Sequence, residues 1–115
     1  MQKKEQLFNQ AVQKVRKELF GKGPDEVRTV FVDNMAITTM KGNLTPVEKF
    51  LIQTEQGAEM VHQARTKLIQ RHYERQVPEG IEELAGSKLV RLFSDIHVHD
   101  DEAVSVFVFE QPIKV

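Results

Sequence analysis

Cysteine is absent from all 115 residues, which excludes a disulfide framework, a thiolate nucleophile and a Cys-based zinc site. An excess of either charge is absent too, since 16 Lys plus Arg stand against 17 Asp plus Glu, a formal net charge of -1. General nucleic-acid binders draw their affinity from Lys and Arg that neutralise phosphates, so this balance argues against that class. No apolar run approaches the ~20 residues of a membrane-spanning helix, and any membrane role is expected to be peripheral. Met1 leads into Lys3, Lys4 and Glu5 rather than an apolar signal core, which predicts a cytoplasmic location. Repeats, low-complexity tracts and linkers are missing as well, so residues 1–115 read as a single domain.

What is present suits an ordinary globular chain. With 40% hydrophobic and 29% charged residues, a chain of this length can bury roughly two thirds of its unfolded surface, and it is expected to fold unaided or as a simple oligomer. Phe8, Ala11, Val12, Val15 and Leu19 recur at spacings of three and four, which predicts an amphipathic helix over about residues 3 to 20. Gly21 supplies its C-terminal cap and Gly23-Pro24 stops any continuation. Val27 to Val32 and Met35 to Met40 carry strand propensity, with Asp33-Asn34 between them as a tight turn whose residues tolerate left-handed backbone.

Thr45-Pro46-Val47-Glu48 combines an N-cap hydroxyl, a Pro at the first helical position and a Glu that can reach back to the cap N–H. Gly57 is expected to interrupt or bend the helix that starts there, and a longer helix to follow from about Ala58 to Gln76. Val61, Ala64, Leu68 and His72 are assigned to its apolar face, flanked by Met60 and Ile69, while Arg65, Arg71 and Arg75 stay in solvent. Pro78 breaks or kinks it, and Ile81, Leu84 and Ala85 make a last short helical stretch capped by Gly86. Lys88 to Val98 and Ala103 to Phe109 read as a second hairpin. Its last strand sets Val104, Val106 and Val108 on one side and Phe107 and Phe109 on the other, so it is expected to be central in the sheet or covered by a partner chain. The fold class is therefore α+β in the order αββααββ, a mostly antiparallel four-stranded sheet with its helices on one face.

The chemistry-bearing residues admit a bland reading and a sharper one each time. Gly21-Lys22-Gly23-Pro24 looks like a phosphate loop, but a helix precedes it and a strand follows, the reverse of a P-loop. Capping and chain reversal explain it, with a ligand or partner contact through Lys22 as the alternative. If both lie on a strand, His97 and His99 share one side and, with Asp100 or Asp101, have the residue types of a metal site, yet they also describe a solvated hairpin tip. No metal site is expected there. His62 and His72 lie on nearly one helix face but about 15 Å apart, too far for one ion. Asp33, Glu48 and Asp95 are not brought together by anything in the sequence, and no catalytic or cofactor motif emerges.

In order along the chain stand the GKGP turn at Gly21 to Pro24, the hairpin Val27-Arg28-Thr29-Val30 to Met35-Ala36-Ile37, and Gly42-Asn43-Leu44-Thr45-Pro46-Val47-Glu48-Lys49. Leu92-Phe93-Ser94-Asp95 then leads to Val106-Phe107-Val108-Phe109. This ordered set resembles the MpsC family, a bacterial family formerly known only as a domain of unknown function. The resemblance implies a small protein, free-standing or acting beside a Na+-translocating membrane-potential-generating system, a context also linked to inorganic-carbon uptake. It implies no catalytic residues. A non-enzymatic accessory or interaction protein is the expected function, with Gly21, Lys22, Gly23, Pro24 and Asp95 as candidate contacts. The alternative is a small-ligand-binding or metal-dependent enzyme using the GKGP turn or the His97/His99 hairpin.

A homodimer is also expected. Residues 1–20 carry five basic and two acidic groups, whereas residues 93–115 carry one basic and five acidic groups. The Phe8, Val12, Val15 and Leu19 stripe is expected to need a groove, and the first helix of one chain can dock on the acidic hairpin of the same or a second subunit.

Overall fold

The computed structural model describes residues 3–114. Its elements are α1 (Lys3–Phe20), β1 (Glu26–Val32), β2 (Met35–Lys41), α2 (Pro46–Leu51), α3 (Glu55–Arg75), α4 (Ile81–Ala85), β3 (Leu89–His97) and β4 (Glu102–Phe109). This is the α+β order read from the sequence, with the short stretch at Ile81 forming a helix of its own. Two antiparallel hairpins join through β2 and β4, also antiparallel, into one four-stranded sheet of order β1-β2-β4-β3.

Both long helices lie on the same face of that sheet, α1 against β1 and α3 against β3. The core beneath them comes from the inward residues of each strand: Ala36 and Met40 of β2, Leu92 and Ile96 of β3, and Ala103, Phe107 and Phe109 of β4. The α1 stripe closes over it, with Phe8, Val12 and Val15 buried against the chain's own sheet. No groove from a second subunit is needed for that helix, so its apolar stripe gives no reason for α1 to dock across a dimer.

The α3 stripe is not the one expected. Its buried positions are Gly57, Ala58, Val61, Arg65, Ile69 and Tyr73, while Ala64 and Leu68 face solvent and His72 is half-buried. The helix is rotated about one position from the apolar assignment, because Val61, Arg65, Ile69 and Tyr73 follow a strict spacing of four. Arg65, expected in solvent, is only 2% exposed. Gly57 likewise does not interrupt the helix, which begins at Glu55 with Thr54 as its N-cap accepting from Gly57 N–H. The break falls in the three residues before it. A Cβ at position 57 would collide with the backbone oxygen of Leu51, so this glycine serves the close approach of α2 to α3.

In the first hairpin turn only Asp33 takes positive φ, at 55°. Asn34 instead donates its side-chain N–H to Phe109 O at 3.0 Å, and Phe109 N–H donates back to Asn34 O at 2.9 Å, tying this turn to the end of β4.

Candidate functional site

The residues with the clearest candidate chemistry in the sequence are occupied with holding turns. Lys22 donates its ammonium to Gly23 O at 3.1 Å and to Gly42 O, and pairs with Asp25 at 3.1 Å, locking the α1–β1 turn to the turn after β2. Beside it, Gln10, Gln13, Lys14 and Lys17 of α1 line an open depression of about 620 Å³ together with Gly21 to Pro24. Asp101 at the second hairpin tip takes positive φ, and its carboxylate accepts from Asn43 N–H at 2.8 Å and Leu44 N–H at 3.1 Å. His97 Nδ1 lies 3.2 Å from the Asp100 carboxylate. Among the described residues, no three His, Cys, Asp or Glu side chains gather as a metal-binding group.

Thr45 and Glu48 exchange the reciprocal bonds of a capping box at the start of α2, with Pro46 at its first turn. Glu48 also meets Arg65, whose Nε donates to Oε2 at 2.7 Å and whose Nη2 donates to Oε1 at 2.5 Å and to Asn43 O at 2.9 Å. The Arg65 guanidinium lies 3.8 Å over the Phe20 ring at the end of α1. Burial pushes the Glu48 carboxyl up, but the hydrogen bonds from Arg65 and Thr45 outweigh it and hold it below its ordinary value.

A second buried arginine has no such partner. One row across the covered sheet face is made entirely of hydroxyl residues: Thr29 pairs with Thr38, Thr38 with Ser105, and Ser105 with Ser94. Thr29 and Thr38 share a hydrogen bond of 2.9 Å, and so do Ser94 and Ser105. Arg16, 4% exposed, donates Nη2 to Ser105 Oγ at 3.1 Å and to Ser94 Oγ at 3.4 Å, with no carboxylate against it among the described residues. Burial pulls its guanidinium down to about 10, and nearby Arg65 acts in the same direction. A charge held in this way is a cost to folding, so Arg16→Met is expected to leave stability unchanged or raise it by about 1–2 kcal/mol. Urea unfolding measures this; a loss beyond about 1 kcal/mol would mean the hydroxyls compensate the charge fully.

The largest uncommitted feature is the other face of the sheet. Its outward residues form four rows in register across β1, β2, β4 and β3. The first row is Val32, Met35, Val108 and Arg91, and the second is Val30, Ile37, Val106 and Phe93. The third is Arg28, Thr39, Val104 and Asp95, and the fourth is Glu26, Lys41, Glu102 and His97. Neither long helix covers this face, and Phe93 is 57% and Val32 45% exposed. β4 is therefore central, as its two apolar sides suggested, but only its Phe107 and Phe109 side is enclosed by this chain.

Asp95 sits at the edge of this open face, where His62 Nε2 of α3 donates to its Oδ1 at 2.6 Å. That bond, helped by the Ile96 N–H, lowers the Asp95 carboxyl below its ordinary value. The His62 pairing had no signal in the sequence, because α3 and β3 meet only through tertiary packing. Gln70 of α3 also donates to Leu92 O at 2.9 Å, occupying part of the β3 edge.

Residues 1–111 match the family described as "Na+-translocating membrane potential-generating system (MpsC)". Among curated relatives from Bacillus subtilis (strain 168), the chain is 58% identical over 113 residues to "Uncharacterized protein YrhF", covering 98% of this chain and 93% of the relative. It is 26% identical over 103 residues to "Uncharacterized protein YbcI", covering 90% and 82%. No solved structure matches.

Proposed function

The chain belongs to the MpsC family, and from that premise we propose that it is a non-enzymatic interaction protein, one MpsC-like domain that works as a homodimer beside a Na+-translocating membrane system. The observation that carries this reading is the open sheet face: seven of the eight residues in its two upper rows are apolar and uncovered by the chain's own helices. Monomeric proteins rarely leave so continuous an apolar surface to water, and such surfaces mark interaction sites. A separate apolar pair on α2, Val47 and the 70% exposed Phe50, offers a contact for a second partner. Asp95, on the open face, and the GKGP turn, beside α1, are the polar contacts of this reading. The proposed location is cytoplasmic, peripheral to the inner face of the membrane; among the described residues no helix is long and apolar enough to cross one.

Affinity co-purification at native expression level from membrane and cytosolic fractions tests the partner. Components of a Na+-translocating system are expected with the membrane fraction and are expected to diminish in Phe50→Glu. Recovery of the chain without any such component would contradict the accessory role.

A further inference from the structure

We infer that the open sheet face is a self-complementary dimer interface, in which two copies stack sheet on sheet about a twofold axis running along the strands between β2 and β4. The inference rests on the dimer of the proposed function and not on its membrane partner. Its ground is the order of residues within the rows. A twofold axis along the strands reverses each row left to right and lays it on itself, so β1 of one chain covers β3 of the other. In the third row this sets Arg28 against the partner's Asp95, and in the fourth it sets Glu26 against the partner's His97 and brings the intrachain Lys41–Glu102 pair, 3.8 Å apart, against its own copy in reversed order. In the second row the same operation lays Val30 on the partner's Phe93. Acid therefore meets base in both charged rows and apolar meets apolar in the second, while in the first Met35 meets the partner's Val108 and Val32 lies against the aliphatic stem of the partner's Arg91.

The competing face-to-face arrangement has its axis across the strands. It would lay the fourth row on the first, covering Glu26 with the partner's Val32 and His97 with the partner's Arg91. Burying a carboxylate on an apolar surface, without an opposite charge, costs more than the contact returns. The overall charge of the face also favours a second copy over an anionic ligand. Arg28, Lys41 and Arg91 balance Glu26, Asp95 and Glu102, so the face has no net attraction for phosphate-bearing surfaces. Arg28 has no ion-pair partner within its own chain among the described residues, which leaves its guanidinium to the second copy.

Size and geometry are compatible. Four strands about 4.8 Å apart and seven residues at about 3.3 Å each mark out a flat footprint of roughly 450 Å² per chain. Side-chain relief adds to this, towards the ~800 Å² per partner of a standard interface. Aligned sheets pack about 10 Å apart at about -30°, which places each sheet's strands about 15° from the axis and keeps the rows opposed near the centre.

Sedimentation equilibrium at micromolar concentration and above tests the inference through charge exchange. The unmodified chain is expected at twice 13.2 kDa. Arg28→Asp and Asp95→Arg should each weaken the dimer at least about tenfold, because the twofold axis removes two pairs at once. The double exchange, Arg28→Asp with Asp95→Arg, should restore it. Thermal unfolding of each variant separates lost pairing from lost folding. A monomer for the unmodified chain, a dimer indifferent to the Arg28 and Asp95 changes, or single losses without recovery in the double would each overturn this interface. Failure to recover a membrane partner would not, since the mass is measured on the purified chain alone.

Discussion

Arg65→Ala is expected to lower the unfolding free energy by about 3–5 kcal/mol, because it leaves the Glu48 carboxylate partly buried without its cation. One side chain connects four parts of the fold: α3 carries it, Glu48 of α2 receives two of its hydrogen bonds, Asn43 after β2 receives a third, and Phe20 of α1 stacks beneath it. The loss should appear as a lower urea midpoint at unchanged m value. Its pH dependence has a definite sign. Glu48 is held below its ordinary value in the folded protein, so its contribution is complete above the unfolded value of about 4.5 and disappears as pH falls through the folded one. The unmodified protein should therefore lose stability in that acid window by a component that Arg65→Ala lacks. Equal acid sensitivity in both proteins would show that the pair contributes nothing.

Phe107→Ala is expected to cost a similar amount, about 3–5 kcal/mol, through the cavity it opens. Phe107 is buried at the centre of the covered sheet face, with its ring centroid 5.1 Å from Phe8 and 5.7 Å from Tyr73 in edge contacts. It thereby joins β4 to α1 and α3 at once, and a gap between two aromatic rings held by separate helices cannot close by a local shift. Chemical unfolding again measures the loss. Its two chain neighbours, Val106 and Val108, lie on the opposite face, so the variant should still dimerise at temperatures where it is folded. A loss of less than about 1 kcal/mol would mean that the helices settle into the space.

The parts of this fold that were legible in advance are those specified by local chemistry. Period-two strands, the α1 stripe and the glycine after it act within a few residues, and the element order followed from them. The parts that were not legible depend on residues far apart in the chain. Arg65 looks like a solvent residue because helical periodicity reports hydrophobicity, and only the arrival of Glu48, 17 positions earlier, makes its burial affordable. Arg16 is hidden in the same way, since the hydroxyl row that receives it is assembled from all four strands. Strand order is equally non-local: the pairing of β2 with β4 decides which residues share a row, and so decides the charge pattern of the open face. The valines of β4 announced an apolar surface in the sequence, but not which side of the sheet the helices would leave bare.

The most direct test of the open face as a pairing surface is an isotope-filtered nuclear Overhauser measurement on a dimer mixed from labelled and unlabelled chains. Within one chain Phe93 and Val30 lie at opposite edges of a single row, three strand spacings of about 4.8 Å apart and beyond the reach of such a contact. Across the inferred twofold axis they meet. Cross-peaks between the Phe93 ring and the Val30 methyls, passing from labelled to unlabelled chain, are the expected result; intermolecular contacts confined to the α1 or α2 surface would contradict it.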